Sequence, residues 1–492
     1  MQLRTQIKKF KQLALVATTL TTSTIVPLLA GLMPAAQAVP VTARRANDFI
    51  DSVCVNTHFG YLDTPYGKYD TVKQKLLELG VRHIRDGGMR DDIISKFQDL
   101  AKVGIKTSFI MNPVDGTAPN SSYWMKEPGY MITDFVKKVG TNAIDAVEVA
   151  NEIDLNYQRY YWRKGDTSKL NDDPKSSLYW ANYIRSLTKD TWDAIKGDPA
   201  TAGVKVIGPS LGRTYDHDRR PPLGDLSAVV DWGNVHSYPF GGNSYNEPFA
   251  YNTIAKYYYQ SSFPSVNLDE HPYIFNIYAP PFGKKPMSAT ETGYFTTTKS
   301  KGLSERIHGK YMPRLFLEYF RKGIVRTCSY ELLDEWNDPG NAEANFGLLR
   351  NDFSAKPAYT ALKNLMGRLK DTTTNAATFT PSALDYTLTV TPPTGYNRTQ
   401  YVHSLLLQKG HGKFYLVLWH EISNGDHYST PIREIMPPAM PTKVTLNTPI
   451  KTISISTVDD TGKMTTTAAT AVQNKTVNVN VTDKFMVLSL TP

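Results

Sequence analysis

Cysteine is nearly absent from this chain of 492 residues, which contains only Cys54 and Cys328. A small domain held together by several disulfides is therefore excluded, and at most one internal bridge can form. Long apolar runs are also lacking, because the most apolar stretch near the N terminus is diluted by threonine and broken at Pro27. With 41% apolar and 21% charged residues, the sequence fits neither a polytopic membrane protein nor a disordered chain. It predicts a globular protein.

A strong excess of one charge is lacking as well. The formal net charge is +9, and the first 38 residues supply four basic and no acidic residues, which leaves 51 basic against 46 acidic residues. That excess is too mild to indicate a nucleic-acid partner. Residues 1–38 combine a basic start, an uncharged stretch and Ala36-Gln37-Ala38, as a cleavable signal peptide does. We expect cleavage after Ala38, a secreted or periplasmic location and no stable membrane insertion.

Between about residue 50 and residue 369, short β-rich runs alternate with helical patterns, which is typical of βα units around a parallel sheet. No run is followed by a glycine-rich phosphate-binding loop, so eight such units favour a (β/α)8 TIM barrel over a doubly wound sheet. The predicted strands are Ser52–Asn56, Val81–Arg85, Lys106–Met111, Ala146–Asn151, Val204–Gly208, Trp232–His236, Met287–Thr290 and Val325–Tyr330. Predicted helices include Thr71–Leu79, Asp91–Val103, Leu178–Ile195 and Glu305–Arg321.

The composition changes at Asp371, after which period-two runs alternate with turn residues. This pattern predicts a smaller antiparallel β-sandwich at the C terminus. The expected organisation is a signal peptide at 1–38, a barrel at 39–370 and a sandwich at 371–492. The predicted sandwich strands are Asp385–Val390, Val402–Leu407, Lys413–Trp419, Lys443–Leu446, Thr452–Ser456, Val477–Asn480 and Phe485–Leu490.

Two carboxylates stand at the ends of predicted barrel strands. The fourth strand ends in Asn151-Glu152, and the seventh ends in Glu291. Because the chemistry of such barrels lies at the carboxyl ends of the strands, both glutamates are expected to face one cavity. Two carboxyl groups across a glycosidic bond are the minimal equipment for hydrolysing it.

The segment Glu148-Val149-Ala150-Asn151-Glu152, together with Glu291, resembles glycoside hydrolase clan A and is similar to its families 5 and 39. The resemblance implies a retaining glycosidase in which Glu152 is the acid/base, Glu291 is the nucleophile and Asn151 binds the 2-hydroxyl of the sugar. Many members have Trp or Gly before the Asn-Glu pair and Pro after it. Here Ala150 precedes the pair and Ile153 follows it, so the family is less defined than the clan.

Other positions also match the clan. The resemblance implies that Arg85 orients the nucleophile, that His236 and Tyr238 line the same subsite, that His58 makes a polar contact and that Trp336 is an aromatic platform. It implies no cofactor and no metal ion, and a β-sandwich is a common companion of such barrels. Glu148 is expected to be a buried, hydrogen-bonded acid inside the barrel.

The sequence thus predicts a secreted retaining glycosidase acting on a polysaccharide or oligosaccharide. The alternative is a non-catalytic carbohydrate-binding or cell-surface protein on the same barrel. Cys54 and Cys328 fall on strands one and eight, which become neighbours when the barrel closes. Adjacent parallel strands rarely provide disulfide geometry, so two buried thiols are favoured over a bridge.

Overall fold

A computed structural model describes residues 40–111, 128–156, 170–212, 223–238, 278–297, 302–426, 429 and 431–492. Pro40–Pro492 form one compact unit. The predicted signal peptide lies outside the described residues, so it stays a prediction, as does the domain boundary at residue 370. Two short strands, β1 (Val41–Thr42) and β2 (Arg44–Arg45), come first in the described chain.

The described residues include eight parallel strands: β3 (Val53–Asn56), β4 (His83–Gly87), β5 (Lys106–Met111), β6 (Ile144–Val149), β7 (Lys205–Ile207), β8 (Gly233–His236), β9 (Met287–Thr292) and β10 (Arg326–Ser329). They pair in the order β7-β6-β5-β4-β3-β10-β9-β8. A bridge between Ile207 and Trp232 brings the two end strands together, so the sheet nearly closes. The predicted TIM barrel is confirmed.

The α-helices in the described part of the chain are α1 (Ala46–Ser52), α2 (Tyr69–Leu79), α3 (Asp91–Lys102), α4 (Pro128–Val139), α5 (Ile153–Asn156), α6 (Trp180–Gly197), α7 (Glu305–Arg321) and α8 (Pro357–Leu369). Helix α7 begins where the Ser304 side chain accepts a hydrogen bond from the backbone N–H of Ile307. Helix α2 ends at Gly80, whose φ of 83° suits glycine. None of the helices described is long and apolar enough to span a bilayer.

The C-terminal region is antiparallel, with strands β11 (Ala383–Leu384), β12 (Tyr386–Val390), β13 (Val402–Gln408), β14 (Phe414–His420), β15 (Gly425–Asp426), β16 (Arg433–Glu434), β17 (Met440–Leu446), β18 (Thr452–Val458), β19 (Met464–Thr466), β20 (Thr470–Ala471), β21 (Thr476–Val481) and β22 (Met486–Thr491). The larger sheet runs β19-β18-β22-β14-β13-β2, with β20 also on β18, and a smaller sheet runs β12-β17-β21. These sheets are consistent with the predicted β-sandwich.

Strand β14 is buried along its whole length because its two faces belong to different cores. Phe414, Leu416 and Leu418 pack in the core between the C-terminal sheets. Tyr415 and Val417 alternate with them and pack in the larger core, which includes the barrel residues. A strand has a side-chain period of two, so one strand serves both cores.

Helix α7 is joined to the C-terminal sheets by buried polar contacts. Lys310 pairs with Asp483 at 2.8 Å, and the fully buried Arg314 donates to three backbone carbonyls at 2.9 Å each. Glu318 contacts Nδ1 of His403 at 2.9 Å. Burial would raise the pKa of Glu318, but His403 and Arg321 lower it to about 2. The sandwich is thus attached through buried ion pairs and hydrogen bonds as well as apolar packing.

The expectation of two free thiols is wrong, because Cys54 and Cys328 form a disulfide. Strands β3 and β10 pair in a register that places Cys54 directly opposite Cys328, with their Cα atoms 4.1 Å apart. Neighbouring strands alone do not determine this, because a shift of one residue would turn the two side chains to different faces.

Candidate active site

The carboxyl ends of the barrel strands open into a cavity of about 810 Å³. Asn151 and Glu152 line it from the segment after β6, Glu291 from β9 and Arg85 from β4. These residues are far apart in the sequence. They meet because the strands are parallel and their carboxyl ends lie at one end of the barrel.

Arg85 is the central donor of the site and is 1% exposed. Its guanidinium holds both oxygens of Glu148, at 2.6 and 2.8 Å, and Oε1 of Glu291 at 2.7 Å. It also donates to the side-chain oxygens of Asn56, at 2.8 Å, and Asn151, at 2.7 Å. Burial would raise the pKa of Glu148, but Arg85 keeps it well below its usual range. Glu148 is therefore the buried, hydrogen-bonded acid that the sequence predicts.

His236 lies between the two candidate catalytic carboxylates. Its Nδ1 is 2.7 Å from Oε1 of Glu152 and 3.4 Å from Oε2 of Glu291. One carboxylate oxygen of Glu152 and one of Glu291 lie within 4.8 Å of each other. This upper limit lies below the roughly 6.5–9.5 Å between the carboxyl groups of inverting glycosidases and is close to the roughly 5–5.5 Å of retaining ones.

The protonation states of Glu152, His236 and Glu291 depend on one another. Burial would lower the pKa of His236, but the surrounding carboxylates Glu291, Glu148 and Glu152 raise it to about 10. Burial would raise the pKa of Glu152, but the hydrogen bond with His236 holds it below its usual value. The shared proton therefore resides on the imidazole in the free protein.

Each oxygen of Glu291 has its own donor. Oε1 accepts from Arg85, and Oε2 accepts from the hydroxyl of Tyr238 at 2.9 Å. Burial and the charge of Glu291 raise the pKa of Tyr238, so the phenol keeps its proton and remains a donor. Arg85 belongs to β4 and Tyr238 follows β8. Residues from two other strands therefore hold the carboxylate of Glu291, which lies on β9.

The backbone around Glu152 adopts an uncommon conformation. Ala150 has a φ of 62° and Glu152 a φ of 46°, both in the left-handed region that non-glycine residues rarely occupy. Glu152 immediately precedes α5, and its carbonyl accepts the backbone N–H of Leu155 at 3.0 Å. Such strain costs on the order of 1 kcal/mol or more per residue and is concentrated at functional sites.

His58 joins a second cluster at the cavity wall. Its Nδ1 lies 2.5 Å from Oε1 of Glu335 and 3.3 Å from Oε2 of Glu331. The hydroxyl of Tyr66 also donates to Oε2 of Glu331, at 2.8 Å. Burial raises the pKa of Glu331 to about 7 despite these contacts. Among these residues only His58 lines the cavity. Burial would lower the pKa of His58, but Glu331 and Glu335 hold it well above its usual value, so the charged ring is a proton donor.

Two groups of side chains have donor atoms close enough to hold a divalent cation. In each group the three donor atoms lie within 4.8 Å of one another: His58 with Glu331 and Glu335, and His236 with Glu152 and Glu291. In both groups the hydrogen bonds and ion pairs already account for the short distances. The spacing is therefore not, by itself, evidence of a metal ion.

Trp336 is not among the residues that line the main cavity. It lies on a separate cavity of about 410 Å³ and is 44% exposed. Tyr330, which directly follows β10, and Phe346 line the main cavity. Sequence reasoning did not single out Tyr330, although its position at a strand end is the signal that identified Glu291.

Gly208-Pro209-Ser210-Leu211-Gly212 matches the spacing of a serine-hydrolase nucleophile elbow, but Ser210 has other partners. Its hydroxyl is buried and donates to Oε1 of Glu148 at 2.9 Å and to the carbonyl of Ala150 at 3.3 Å. Among the hydrogen bonds of the described residues, none links Ser210 to a histidine. Ser210 supports Glu148 and the strained Ala150 segment.

No protein-family model matches the chain, and no curated protein matches it. Solved structures, in contrast, do match the chain. A family 39 glycoside hydrolase from the gut symbiont Bacteroides cellulosilyticus is 16% identical, with 90% of this chain and 82% of that chain covered and a TM-score of 0.54. The chain shares the fold of glycoside hydrolases. A monomeric β-xylosidase from Caulobacter crescentus is 15% identical over 93% and 98% of the two chains, with a TM-score of 0.52.

A glucosidase from Croceicoccus marinus has a TM-score of 0.55 at 10% identity, with 92% of this chain and 98% of that chain covered. At such identities the likeness establishes the fold alone. The predicted resemblance to family 39 is confirmed at that level.

Proposed function

We propose that this protein is a retaining glycoside hydrolase that cleaves O-glycosidic bonds of an oligosaccharide or polysaccharide. The observation that carries the proposal is the pair Glu152 and Glu291, which face one cavity with carboxylate oxygens within 4.8 Å. The fold of the neighbouring structures supports it. Arg85, His236 and Tyr238 keep the pair oriented.

The reaction is a double displacement. Glu291 attacks the anomeric carbon, Glu152 transfers a proton to the leaving oxygen, and the bond between that oxygen and the carbon breaks. Glu152 then removes a proton from water, whose oxygen attacks the anomeric carbon and releases Glu291. Protons and charge balance over the cycle, so no cofactor is needed.

His236 supplies the proton that Glu152 must donate. In the free protein the proton lies on Nδ1, 2.7 Å from Glu152. When substrate excludes water from the cavity, the ion pair loses solvation, and transfer to Glu152 converts both groups to their neutral forms. Glu152 then carries the proton in the bound state. This step reconciles the low pKa of free Glu152 with its role as an acid.

We also propose that the protein is exported. The Ala36-Gln37-Ala38 sequence supports cleavage before Val39. The Cys54–Cys328 disulfide is consistent with an oxidising compartment. N-terminal sequencing of protein recovered outside the cytoplasm should begin at Val39, and an uncleaved N terminus would contradict the proposal.

The decisive experiment is covalent trapping. A panel of 2-deoxy-2-fluoro glycosides with dinitrophenyl leaving groups, beginning with xyloside and glucoside, should form a stable ester that peptide mass spectrometry locates on Glu291. The isosteric Glu291→Gln variant should form none. If the protein hydrolyses aryl glycosides but the trapped adduct lies on another residue, the assignment of Glu291 as the nucleophile is overturned. Sugar binding without hydrolysis of any glycoside would favour the non-catalytic alternative.

A further inference from the structure

Trp336 exposes its indole on a cavity that shares no described lining residue with the main cavity. The two cavities are neighbours. Glu343 and Phe346 line the first, whereas Asn345 lines the second, so this short segment separates them. Glu335 contacts His58 at the first cavity, and the next residue along the chain is Trp336 at the second.

The polar side of the second cavity is built on a buried ion pair. Oδ1 of Asp334 accepts from Nζ of Lys356 and from the backbone N–H of Gly347, both at 2.8 Å. Lys356 is 1% exposed and also donates to Thr296 at 2.8 Å. Oδ2 of Asp334 accepts no hydrogen bond from the described residues. This leaves a rigidly held acceptor on the cavity that Trp336 also lines.

The charged residues that line the second cavity indicate what charge its ligand carries. Arg350 is the only basic residue among the described lining residues, and Glu305 holds its guanidinium with contacts of 2.8 and 2.5 Å. The described lining residues therefore offer no free cation to a phosphate or carboxylate. Asn337 also lines the cavity and adds an amide. A flat aromatic face with carboxylate and amide groups suits a neutral ligand that has an apolar C–H face and hydroxyl groups at its edge.

We propose that this cavity is a second saccharide-binding site, with Trp336 stacking on a neutral sugar ring and Asp334 and Asn337 binding its hydroxyl groups. The site is distinct from the catalytic cavity and holds a further unit of carbohydrate close to it. The inference rests on the proposed function only for the choice of sugar probes.

The test counts bound sugar by isothermal titration calorimetry. The protein carries Glu291→Gln so that the probes, xylotetraose and cellotetraose, are not consumed. We expect two equivalents of at least one probe in this background and one equivalent after Trp336→Ala is added. Trp336→Phe should keep both sites with the second one weakened, and Asn337→Ala should weaken the same site several-fold. Leu77→Ala, which removes a comparably exposed apolar side chain from α2, should retain two equivalents.

Absence of any bound equivalent in the protein with intact Trp336 overturns the second site, as does a stoichiometry that Trp336→Ala leaves unchanged. Failure of the proposed function gives a different result. In that case the wild-type protein hydrolyses no glycoside, yet Trp336→Ala still removes one bound equivalent.

Discussion

Arg85 donates to Glu291 at 2.7 Å although 206 positions separate the two residues in the chain. The same guanidinium binds Glu148 through two nitrogens. One buried cation therefore neutralises a structural acid and orients the proposed nucleophile. This dual role couples the stability of the barrel to the geometry of its site.

Replacing Arg85 with Met leaves the buried Glu148 with His236, 3.6 Å away, in place of its closer ion-pair partner. We expect the free energy of unfolding to fall by about 3–5 kcal/mol, because the guanidinium no longer offsets the burial of this carboxylate. Urea denaturation measures the change. Arg82→Met is the matched control, since its exposed pair with Asp51 at 2.9 Å should contribute less than about 1 kcal/mol. Equal losses in the two variants would show that burial of the Arg85 pair is not the cause.

Replacing Glu152 with Ala removes the proposed acid/base. Hydrolysis of glycosides with poor leaving groups should fall by roughly 10²–10⁴-fold, while dinitrophenyl glycosides, which need no proton, should be cleaved to the glycosyl-enzyme. Added azide should then accelerate turnover and give a glycosyl azide of retained configuration. Glu343→Ala, which removes another glutamate of the cavity, should not respond to azide. Indifference of Glu152→Ala to azide would remove the acid/base assignment.

His236 should make stability depend on pH on the alkaline side. The folded-state pKa of about 10 exceeds the ordinary value of 6.5, so the charged imidazole stabilises the fold fully below about pH 6.5. That contribution is lost as the pH rises through about 10. His236→Gln should flatten the decline in unfolding free energy between those values. His411→Gln, at an exposed hairpin, should leave the slope unchanged. An unaltered slope in His236→Gln would contradict the linkage.

The disulfide between Cys54 and Cys328 should stabilise the fold by restricting the unfolded chain. Its two residues are 274 positions apart, and both are fully buried. Replacing both with Ala should cost about 2–5 kcal/mol in thermal or urea unfolding. Native protein should resist alkylation even with reductant present, whereas reductant with urea should expose two thiols by mass spectrometry. Two thiols reactive in native, unreduced protein would rule out the bridge.

The strands and helices were predictable because their signals are local. Helix Glu305–Arg321 was predicted at its observed bounds, since Ser304 caps its N terminus and Arg321 lies in its last turn. The seven predicted sandwich strands each overlap an observed strand, because alternation and turn residues mark them within a few positions. The placement of Glu152 and Glu291 near one cavity followed from strand order in a parallel barrel.

Contacts that depend on register and loop path were not predictable. The bridge between Cys54 and Cys328 required the exact pairing of β3 with β10. Trp336 was a candidate for the main cavity and Tyr330 was not, and only the path after β10 placed Tyr330 there and Trp336 on the second cavity.

The sequence by itself determined the barrel, the C-terminal sheets and the identity of the strand-end carboxylates, because periodicity and turn chemistry act over a few residues. Only the tertiary structure decided the five hydrogen bonds of Arg85 to four residues, the shared proton of His236 and the separation of Trp336 from the main cavity. Distances of a few ångströms between residues remote in the chain set hydrogen bonds and pKa values, and they arise only when the strands close into a barrel.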